Sequence, residues 1–376
     1  MTVGSELVRR LPFVLVILVL AGAQVARAEP AVPDLSGDWV LLDGPGAGIV
    51  RLWTLPDGST FAADAQRGMS MSTDEGDTWT SVPPPPDGWV VAPDPLDPAT
   101  SFGIRPDGLY RSTDAGTSWQ LIRPSASTVT GFDTRHLAIS PVDHNLVYLV
   151  EPLNESEAIS IVRSHDGGQS WDKAIDISGQ PSPCSRLVRI LVPHPSDAQR
   201  VYSDLGCYAG RNFGSRLSES HDRGSSWKTI FRDGQGLDPT ALVGGAGADP
   251  RRLYLTTSPF MGGAAARLYR SDDEGATWSQ VLESGDPQAP YFGGLAYDPG
   301  QPDHVWVATG RTPNPESTGV RQTDDGGATW SFVGRQDIGW VNDLARLPDG
   351  TLLAATNEGI WRFQNIALEP NPSVGR

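Results

Sequence analysis

Six copies of one eight-residue pattern, Ser/Thr-x-Asp-x-Gly-x-Ser/Thr-Trp, constrain the fold of this chain more than any other feature. The copies, which we call octets, occupy residues 72–79, 112–119, 164–171, 220–227, 271–278 and 323–330. They recur at intervals of about fifty residues, which is the length of a four-stranded propeller blade and too long for most helical repeats. The spacing therefore predicts a β-propeller.

The octet has a local physical logic as a tight turn between two strands. The carboxylate at its third position can accept N–H groups of its own turn, and the Gly at its fifth position tolerates positive φ. The Trp supplies a large apolar face at the start of the next strand, to be buried against a neighbouring strand or blade. We therefore expect the repeated aspartates to be structural: Asp74, Asp114, Asp166, Asp222, Asp273 and Asp325.

Turn signals give the number of blades. Hairpins rich in Pro and Asp occur seven times, at 56–58, 97–98, 141–143, 195–197, 249–250, 302–303 and 348–350. The last unit stops after Phe363 without a Trp-led fourth strand, and residues 38–42 at the other end of the chain match the missing strand. Pairing the two ends would remove two exposed sheet edges. The sequence therefore predicts an all-β fold, a single seven-bladed β-propeller over 36–366 whose ring is closed by the N-terminal strand, with a C-terminal tail at 367–376.

The N-terminus and the charge indicate an exported protein. Arg9 and Arg10 precede an apolar run over 11–23, and Ala26-Arg27-Ala28 reads as a cleavage signal, so residues 1–28 are predicted to be a signal peptide, with a twin-arginine signal as the weaker alternative. We expect a periplasmic or extracellular location, with no membrane span in the mature chain.

The net charge of −16 and the absence of a basic stripe argue against nucleic acid as a partner. The histidines lack metal-ligand spacing, so we expect neither a metal nor a cofactor, and we expect a monomer.

Function is expected on the end of the ring formed by the loops between blades and between second and third strands, which we call the funnel face. Arg and aromatic residues are enriched in binding surfaces, and the candidate binding residues in these loops are Tyr208, Arg211, Phe213, Arg216 and Trp340. Loops that are simply solvated are the alternative.

Cys184 and Cys207 fall in the same blade on this face, and a disulfide between them would stabilise the fold by roughly 3 kcal/mol in the entropy model. Two unpaired thiols are the other reading.

The octets resemble the Asp-box, or bacterial neuraminidase repeat, and all six keep its five defining positions. Sialidases carry this repeat, and the resemblance implies an arginine that clamps a sialate carboxylate. Arg51, upstream of the first octet, is the candidate catalytic residue on that reading, although Leu52-Trp53 replaces the Ile-Pro of the family motif and sialidases have six blades. Xyloglucanases also bear Asp-boxes, but they pair two propellers around a cleft, so that one propeller would hold half of the site.

The arrangement of the whole chain is similar to that of the photosystem II assembly and stability factor type of propeller, and more distantly to the sortilin ectodomain. Those proteins bind other polypeptides. On this basis we expect a non-catalytic recognition or scaffold propeller, not an enzyme, that binds a protein or glycan partner through its funnel-face loops. The alternative is a sialidase-like or other exo-acting glycoside hydrolase.

Overall fold

The structure, a computed structural model, describes residues 37–66, 68–124, 137–152, 159–176, 188, 190–204, 216–233, 237–259, 265–284, 291–309 and 319–365. All regular secondary structure in these ranges is β-strand. In chain order the strands are β1 (Gly37–Leu41), β2 (Ile49–Thr54), β3 (Thr60–Asp64), β4 (Met69–Ser72), β5 (Thr80–Ser81), β6 (Trp89–Asp94), β7 (Asp97–Arg105), β8 (Gly108–Ser112), β9 (Gln120–Pro124), β10 (Leu137–Ser140), β11 (Asp143–Pro152), β12 (Ile159–Ser164), β13 (Asp172–Asp176), β14 (Leu191–Pro193), β15 (Val201–Asp204), β16 (Arg216–Ser220), β17 (Lys228–Arg232), β18 (Leu237–Gly244), β19 (Leu253–Pro259), β20 (Arg267–Ser271), β21 (Ser279–Glu283), β22 (Phe292–Tyr297), β23 (Val305–Thr309), β24 (Gly319–Thr323), β25 (Ser331–Phe332), β26 (Val341–Arg346), β27 (Leu352–Thr356) and β28 (Ile360–Asn365).

The strands form seven four-stranded antiparallel sheets, which confirms the predicted seven-bladed propeller. Blades 1 to 6 each use four consecutive strands: β2–β5, β6–β9, β10–β13, β14–β17, β18–β21 and β22–β25. Blade 7 has the order β1-β28-β27-β26, so its outermost strand comes from the N-terminal end of the chain. The predicted ring closure is therefore confirmed.

The closing strand is held by backbone pairing and by one buried indole. In the register of β1 against β28, Trp39 lies opposite Phe363 and Val40 lies opposite Arg362. Trp39 is 2% exposed, its Nε1 donates to the carbonyl oxygen of Val333 at 2.8 Å, and its ring meets that of Phe363 edge-on at 5.5 Å. Trp39 thus ties the start of the chain to the end of blade 6 as well as to blade 7.

The inner strands are buried on both faces, because each blade of a ring packs between two neighbours. Every residue of β19, β23 and β27 is buried, which explains why these strands read as continuous apolar or small-residue runs without alternation. The outer strands β5 and β9 are largely exposed. The core is accordingly divided into clusters between adjacent blades, such as Tyr202 and Leu217 of blade 4 packed with Leu253 and Leu255 of blade 5.

The Trp of each octet lies one residue before the fourth strand, not at its first position as predicted. Several of these indoles link neighbouring blades. Trp278 Nε1 donates to the carbonyl of Ile230 at 2.9 Å, and Trp330 Nε1 donates to the carbonyl of Val281 at 3.0 Å. The octet therefore closes its own turn and also attaches its blade to the preceding one.

Candidate functional site

Strand order fixes which residues reach the funnel face. In an antiparallel blade the first–second and third–fourth turns lie at one end, and the second–third turn and the connection to the next blade lie at the other. The octets join third and fourth strands, so they lie on the end opposite the funnel face, which we call the Asp-box face. Residues at the start of a first strand or the end of a second strand lie on the funnel face.

The octet aspartates bond within their own turns. Asp166 Oδ1 accepts from Ser164 Oγ at 2.7 Å and from the Ser170 N–H at 2.8 Å, and Asp166 Oδ2 accepts from Ser170 Oγ at 2.6 Å. The same three contacts recur in all six octets. Hydrogen bonds from Ser170 and Ser164 lower the pKa of Asp166 to about 2. Gly168 has a φ of 96°, and a Cβ there would lie 2.5 Å from Ile122 Cδ1 of the preceding blade, so both the turn and the contact with that blade require glycine.

Replacing Asp166 with Ala is expected to lower the melting temperature by several degrees without changing any activity, because the Ser170 N–H and two hydroxyls lose their acceptor. Thermal unfolding of the variant beside wild type provides the measurement. Asp43→Ala, which removes an exposed carboxylate outside the octets, is the matched control and should leave the melting temperature unchanged. Loss of activity at an unchanged melting temperature would contradict a structural role.

Arg51, the candidate arginine of the sialidase-like reading, lies in β2 beside the boundary between blades 1 and 7. Its guanidinium lies over the Trp53 ring at 4.5 Å. Complete burial raises the pKa of Asp343 in β26 well above its ordinary value. The hydrogen bond from the Leu52 N–H and the charge of Arg51 oppose part of that rise. Asp343 accepts from the Leu52 N–H at 3.0 Å and from the Leu344 N–H at 2.8 Å. Arg51 therefore contributes to the contact between two blades.

Trp340 lies on the funnel face at the entry to blade 7. Its side chain is 43% exposed and is the one exposed aromatic among the side chains that the structure describes. Its backbone is fixed from both sides by the second–third turn of the same blade: the Trp340 N–H donates to Asn357 Oδ1 at 2.5 Å, and the Asn357 N–H donates to the Trp340 carbonyl at 3.2 Å. The indole is thus presented to solvent from an anchored backbone.

Two carboxylates that sequence reasoning missed lie on the funnel face of the same two adjoining blades, 7 and 1. Asp64 ends β3 and is partly exposed, and Glu358 is exposed in the turn between β27 and β28. Gly48 joins their turns, since its N–H donates to the Asn357 carbonyl at 3.0 Å and its carbonyl accepts from the Ala65 N–H at 2.9 Å. One chain of backbone hydrogen bonds therefore connects the funnel ends of blades 1 and 7.

The geometry of Asp64 suits a carboxylate that acts on a ligand. The Gly68 N–H donates to Asp64 Oδ1 at 2.8 Å and so fixes the carboxylate. A Cβ on Gly68 would lie 2.5 Å from Asp64 Oδ2, so only glycine leaves that oxygen in place. Asp204, at the same position in blade 4, is fully buried and accepts from the Ile190 N–H at 2.8 Å. Of these two strand-end aspartates, solvent reaches Asp64 alone.

Arg216, the other predicted binding residue that the structure describes, does not join this group. Arg216 begins β16 in blade 4, three blades from Trp340, and lies directly opposite Arg232. Partial burial, and to a smaller degree the charge of Arg232, lower the pKa of Arg216. Tyr208, Arg211 and Phe213 lie outside the described residues. So do Cys184 and Cys207, whose disulfide stays a prediction.

The described ranges contain no group of three or more His, Cys, Asp or Glu side chains arranged to hold a metal ion. In the same ranges there is no long apolar helix of the kind that spans a bilayer.

The curated relatives that match this chain are polysaccharide hydrolases. No family model matches the chain. It is 26% identical over 280 residues to xyloglucanase Xgh74A of Acetivibrio thermocellus, covering 65% of this chain and 32% of that protein. It is 24% identical over 256 residues to a xyloglucanase of Hypocrea jecorina, covering 60% of this chain and 29% of that protein. The chain thus spans about a third of the length of the curated relatives it matches.

Solved structures support the propeller fold. The GH74 enzyme of Niastella koreensis superimposes with a TM-score of 0.65 at 18% identity, covering 87% of this chain and 53% of that chain. YCF48 bound to D1 peptide superimposes with a TM-score of 0.58 at 17% identity, and the alignment covers 92% of this chain and 100% of that chain. At these identities the likeness concerns the fold alone.

The comparisons correct the expected function. The prediction of a non-catalytic recognition or scaffold propeller that is not an enzyme is wrong, because the matching curated relatives are xyloglucanases, which are glycoside hydrolases. They agree with the coarser part of the alternative, a glycoside hydrolase, and give no support to its sialidase-like form. The octets could not reveal this, since they specify the blade and not the site it carries.

Proposed function

We propose that this chain is a glycoside hydrolase-type propeller that acts on a β-linked polysaccharide of the xyloglucan class. The observation that carries the proposal is the alignment with xyloglucanases over 65% of the chain. The funnel face of blades 7 and 1 supports it independently, because an exposed aromatic ring and two solvent-accessible carboxylates lie on turns that backbone hydrogen bonds connect.

Trp340 is proposed to be the sugar platform. The C–H face of a sugar ring packs on an indole, and tryptophan combines a large apolar face with a polar edge. Because Asn357 fixes the backbone of Trp340 on both sides, little ordering of the chain remains to oppose binding. The exposed ring is therefore suited to hold one sugar unit beside the carboxylates.

Glycoside hydrolysis commonly uses two carboxyl groups, one that protonates the leaving oxygen and one that activates water or attacks the sugar. We assign the second role to Asp64, because the Gly68 N–H orients one oxygen and leaves Oδ2 without a hydrogen-bond partner within the described ranges. Glu358, in the adjoining turn of blade 7, is the candidate acid when the chain acts by itself. In an assembly of two propellers the second propeller would supply that acid.

The proposal includes export. A polysaccharide of this class is met outside the cytoplasm, and the charged-then-apolar start of the chain, with Arg9 and Arg10 before the run 11–23, has the pattern of a signal peptide.

Release of reducing ends from xyloglucan by the purified full-length protein tests the proposal. Trp340→Ala is expected to raise KM roughly 2- to 12-fold with a smaller change in kcat, because one aromatic platform contributes about 0.5–1.5 kcal/mol. Leu96→Ala is the matched control, since Leu96 is 45% exposed in a first–second turn on the Asp-box face. It should leave KM unchanged.

Failure of the wild-type protein to release sugar from xyloglucan and from other neutral β-glucans would overturn the proposal. Release of sialic acid from sialyl-lactose, lost in Arg51→Ala, would replace it with the sialidase reading.

A further inference from the structure

An arginine of the third strand fastens neighbouring blades together in three places. These arginines are Arg163 in blade 3, Arg270 in blade 5 and Arg362 in blade 7. Each donates through Nη1 to the carbonyl of the fourth octet residue of the next blade, namely Arg223 at 2.6 Å, Gly326 at 2.8 Å and Glu75 at 3.4 Å. The contact is thus a repeated structural device.

Each of these arginines also has a carboxylate, supplied from a different position. Arg163 pairs at 3.0 Å with Asp172, its cross-strand partner. Arg270 pairs at 2.8 Å with Asp272, two residues later. Arg362 pairs at 2.7 Å with Asp77, the sixth octet residue of the next blade. Every arginine in the set therefore has both a carbonyl and a carboxylate acceptor.

Arg111 occupies the same position in blade 2 but has neither acceptor. The carbonyl equivalent to the acceptors of the other arginines belongs to Gly167, the fourth octet residue of blade 3. Arg111 does not donate to it, although Arg111 Nη1 is close to this residue: a Cβ on Gly167 would lie 3.2 Å from Nη1. The three positions that supply carboxylates elsewhere hold neutral side chains here: Gln120 across the strand pair, Thr113 two residues later and Gln169 in the next octet. Arg111 Nε is buried without a hydrogen-bond partner, and Arg111 forms no ion pair within the described ranges. Its guanidinium lies 5.9 Å from the centre of the Phe102 ring, and the carboxylate of Asp94 interacts with it electrostatically without a hydrogen bond.

A groove of about 500 Å³ lies at this point between blades 2 and 3. Arg111 lines it together with Thr113, Gln120 and Gln169, the same three neutral residues that replace the carboxylates. The volume lies within the range typical of sites for small organic ligands. Hydroxyl and amide side chains around one guanidinium provide hydrogen bonds for a ligand that has hydroxyl groups and one negative charge.

We propose that this groove binds a carboxylate-bearing sugar, a uronic acid residue, whose carboxylate takes the place of the missing aspartate against Arg111. Guanidinium–carboxylate pairs form two parallel, charge-assisted hydrogen bonds, which give Arg111 the hydrogen-bonded carboxylate that its counterparts already have. Thr113, Gln120 and Gln169 bond the sugar hydroxyls. The site lies toward the Asp-box face, away from Trp340 and Asp64, and does not depend on the proposed hydrolysis.

NMR titration of the full-length protein with sodium D-glucuronate and with D-glucose tests the site. Wild type is expected to bind glucuronate at least about tenfold more tightly than glucose, the factor that one charge-assisted pair supplies. Arg111→Met should abolish this preference with no loss of melting temperature. Arg270→Met, at the equivalent occupied position, should lower the melting temperature and retain glucuronate binding.

A second variant keeps the test decisive. Gln120→Asp rebuilds in blade 2 the pair that Arg163 makes with Asp172, so it should eliminate glucuronate binding while the melting temperature stays the same or rises. Equal binding of glucose and glucuronate, or undiminished glucuronate binding in Arg111→Met, would overturn the site. Equally tight binding of N-acetylglutamate would overturn the sugar assignment.

Discussion

Deletion of β1 (Gly37–Leu41) is expected to produce aggregated or largely unfolded protein. The deletion exposes the N–H and C=O groups of β28 along an entire edge, and such an edge pairs readily with other chains. It also removes Trp39, whose loss alone is expected to cost about 3–5 kcal/mol through the cavity and the missing bond to Val333. Because whole-domain stability is commonly only about 5–15 kcal/mol, little would remain. Size-exclusion chromatography and thermal unfolding of the purified variant are the measurements.

Single substitutions distinguish the stability contributed by the Trp39 indole from that contributed by the pairing of the whole strand. Trp39→Ala should retain the ring but melt at a clearly lower temperature, whereas Val40→Ala, which alters a side chain 42% exposed on the same strand, should behave as wild type. A monomeric deletion variant with the wild-type melting temperature would show that β1 is dispensable.

Asp64→Asn is expected to lower kcat for xyloglucan by about a thousandfold, the middle of the range for removing a group that takes or gives a proton. The amide keeps the shape and can still accept from the Gly68 N–H, so KM and the melting temperature should change little. Initial rates of reducing-end release over a series of xyloglucan concentrations give both constants. Asp57→Asn, in the first hairpin of the same blade on the opposite face, is the control and should keep the wild-type rate.

Activity in Asp64→Asn within a few-fold of wild type would remove Asp64 from the chemistry while leaving the polysaccharide assignment open to other carboxylates. Gly68→Ala gives an independent check, because its Cβ would displace Asp64 Oδ2 and should reduce kcat with Asp64 still present.

The fold was predictable because its signals are local and repeated. Each octet specifies one turn through Ser, Asp and Gly, and each Pro- and Asp-rich hairpin marks one first–second turn, so counting them gives seven blades. The mismatch between the two counts also located the closing strand, since only residues 38–42 could complete blade 7. Pairing of the first strand with the last then followed from strand order, whereas the register that places Trp39 opposite Phe363 is seen only in the structure.

The site was predictable only in part, because exposure is decided by packing between distant parts of the chain. Trp340 could be named as a candidate from its residue type and its loop. Asp64 was not, since nothing local distinguishes it from Asp204, which ends the same strand of another blade and is buried. The hydrogen bond of Gly48 to Asn357, which links the turns next to Asp64 and Glu358, joins residues about three hundred positions apart in sequence.

Ring closure by the N-terminal strand also sets the order in which this protein can assemble. Trp39 is among the first residues of the propeller to leave the ribosome, yet its hydrogen-bond partner Val333 lies 294 positions later. Blades 1 to 6 can each form from contiguous chain, whereas blade 7 must wait until synthesis is nearly complete and then capture a segment made at the beginning. Contacts of such long range are associated with slow folding. Folding therefore ends on a single late step, and until then both ends of the growing arc remain open to chaperones, proteases and other copies of the chain.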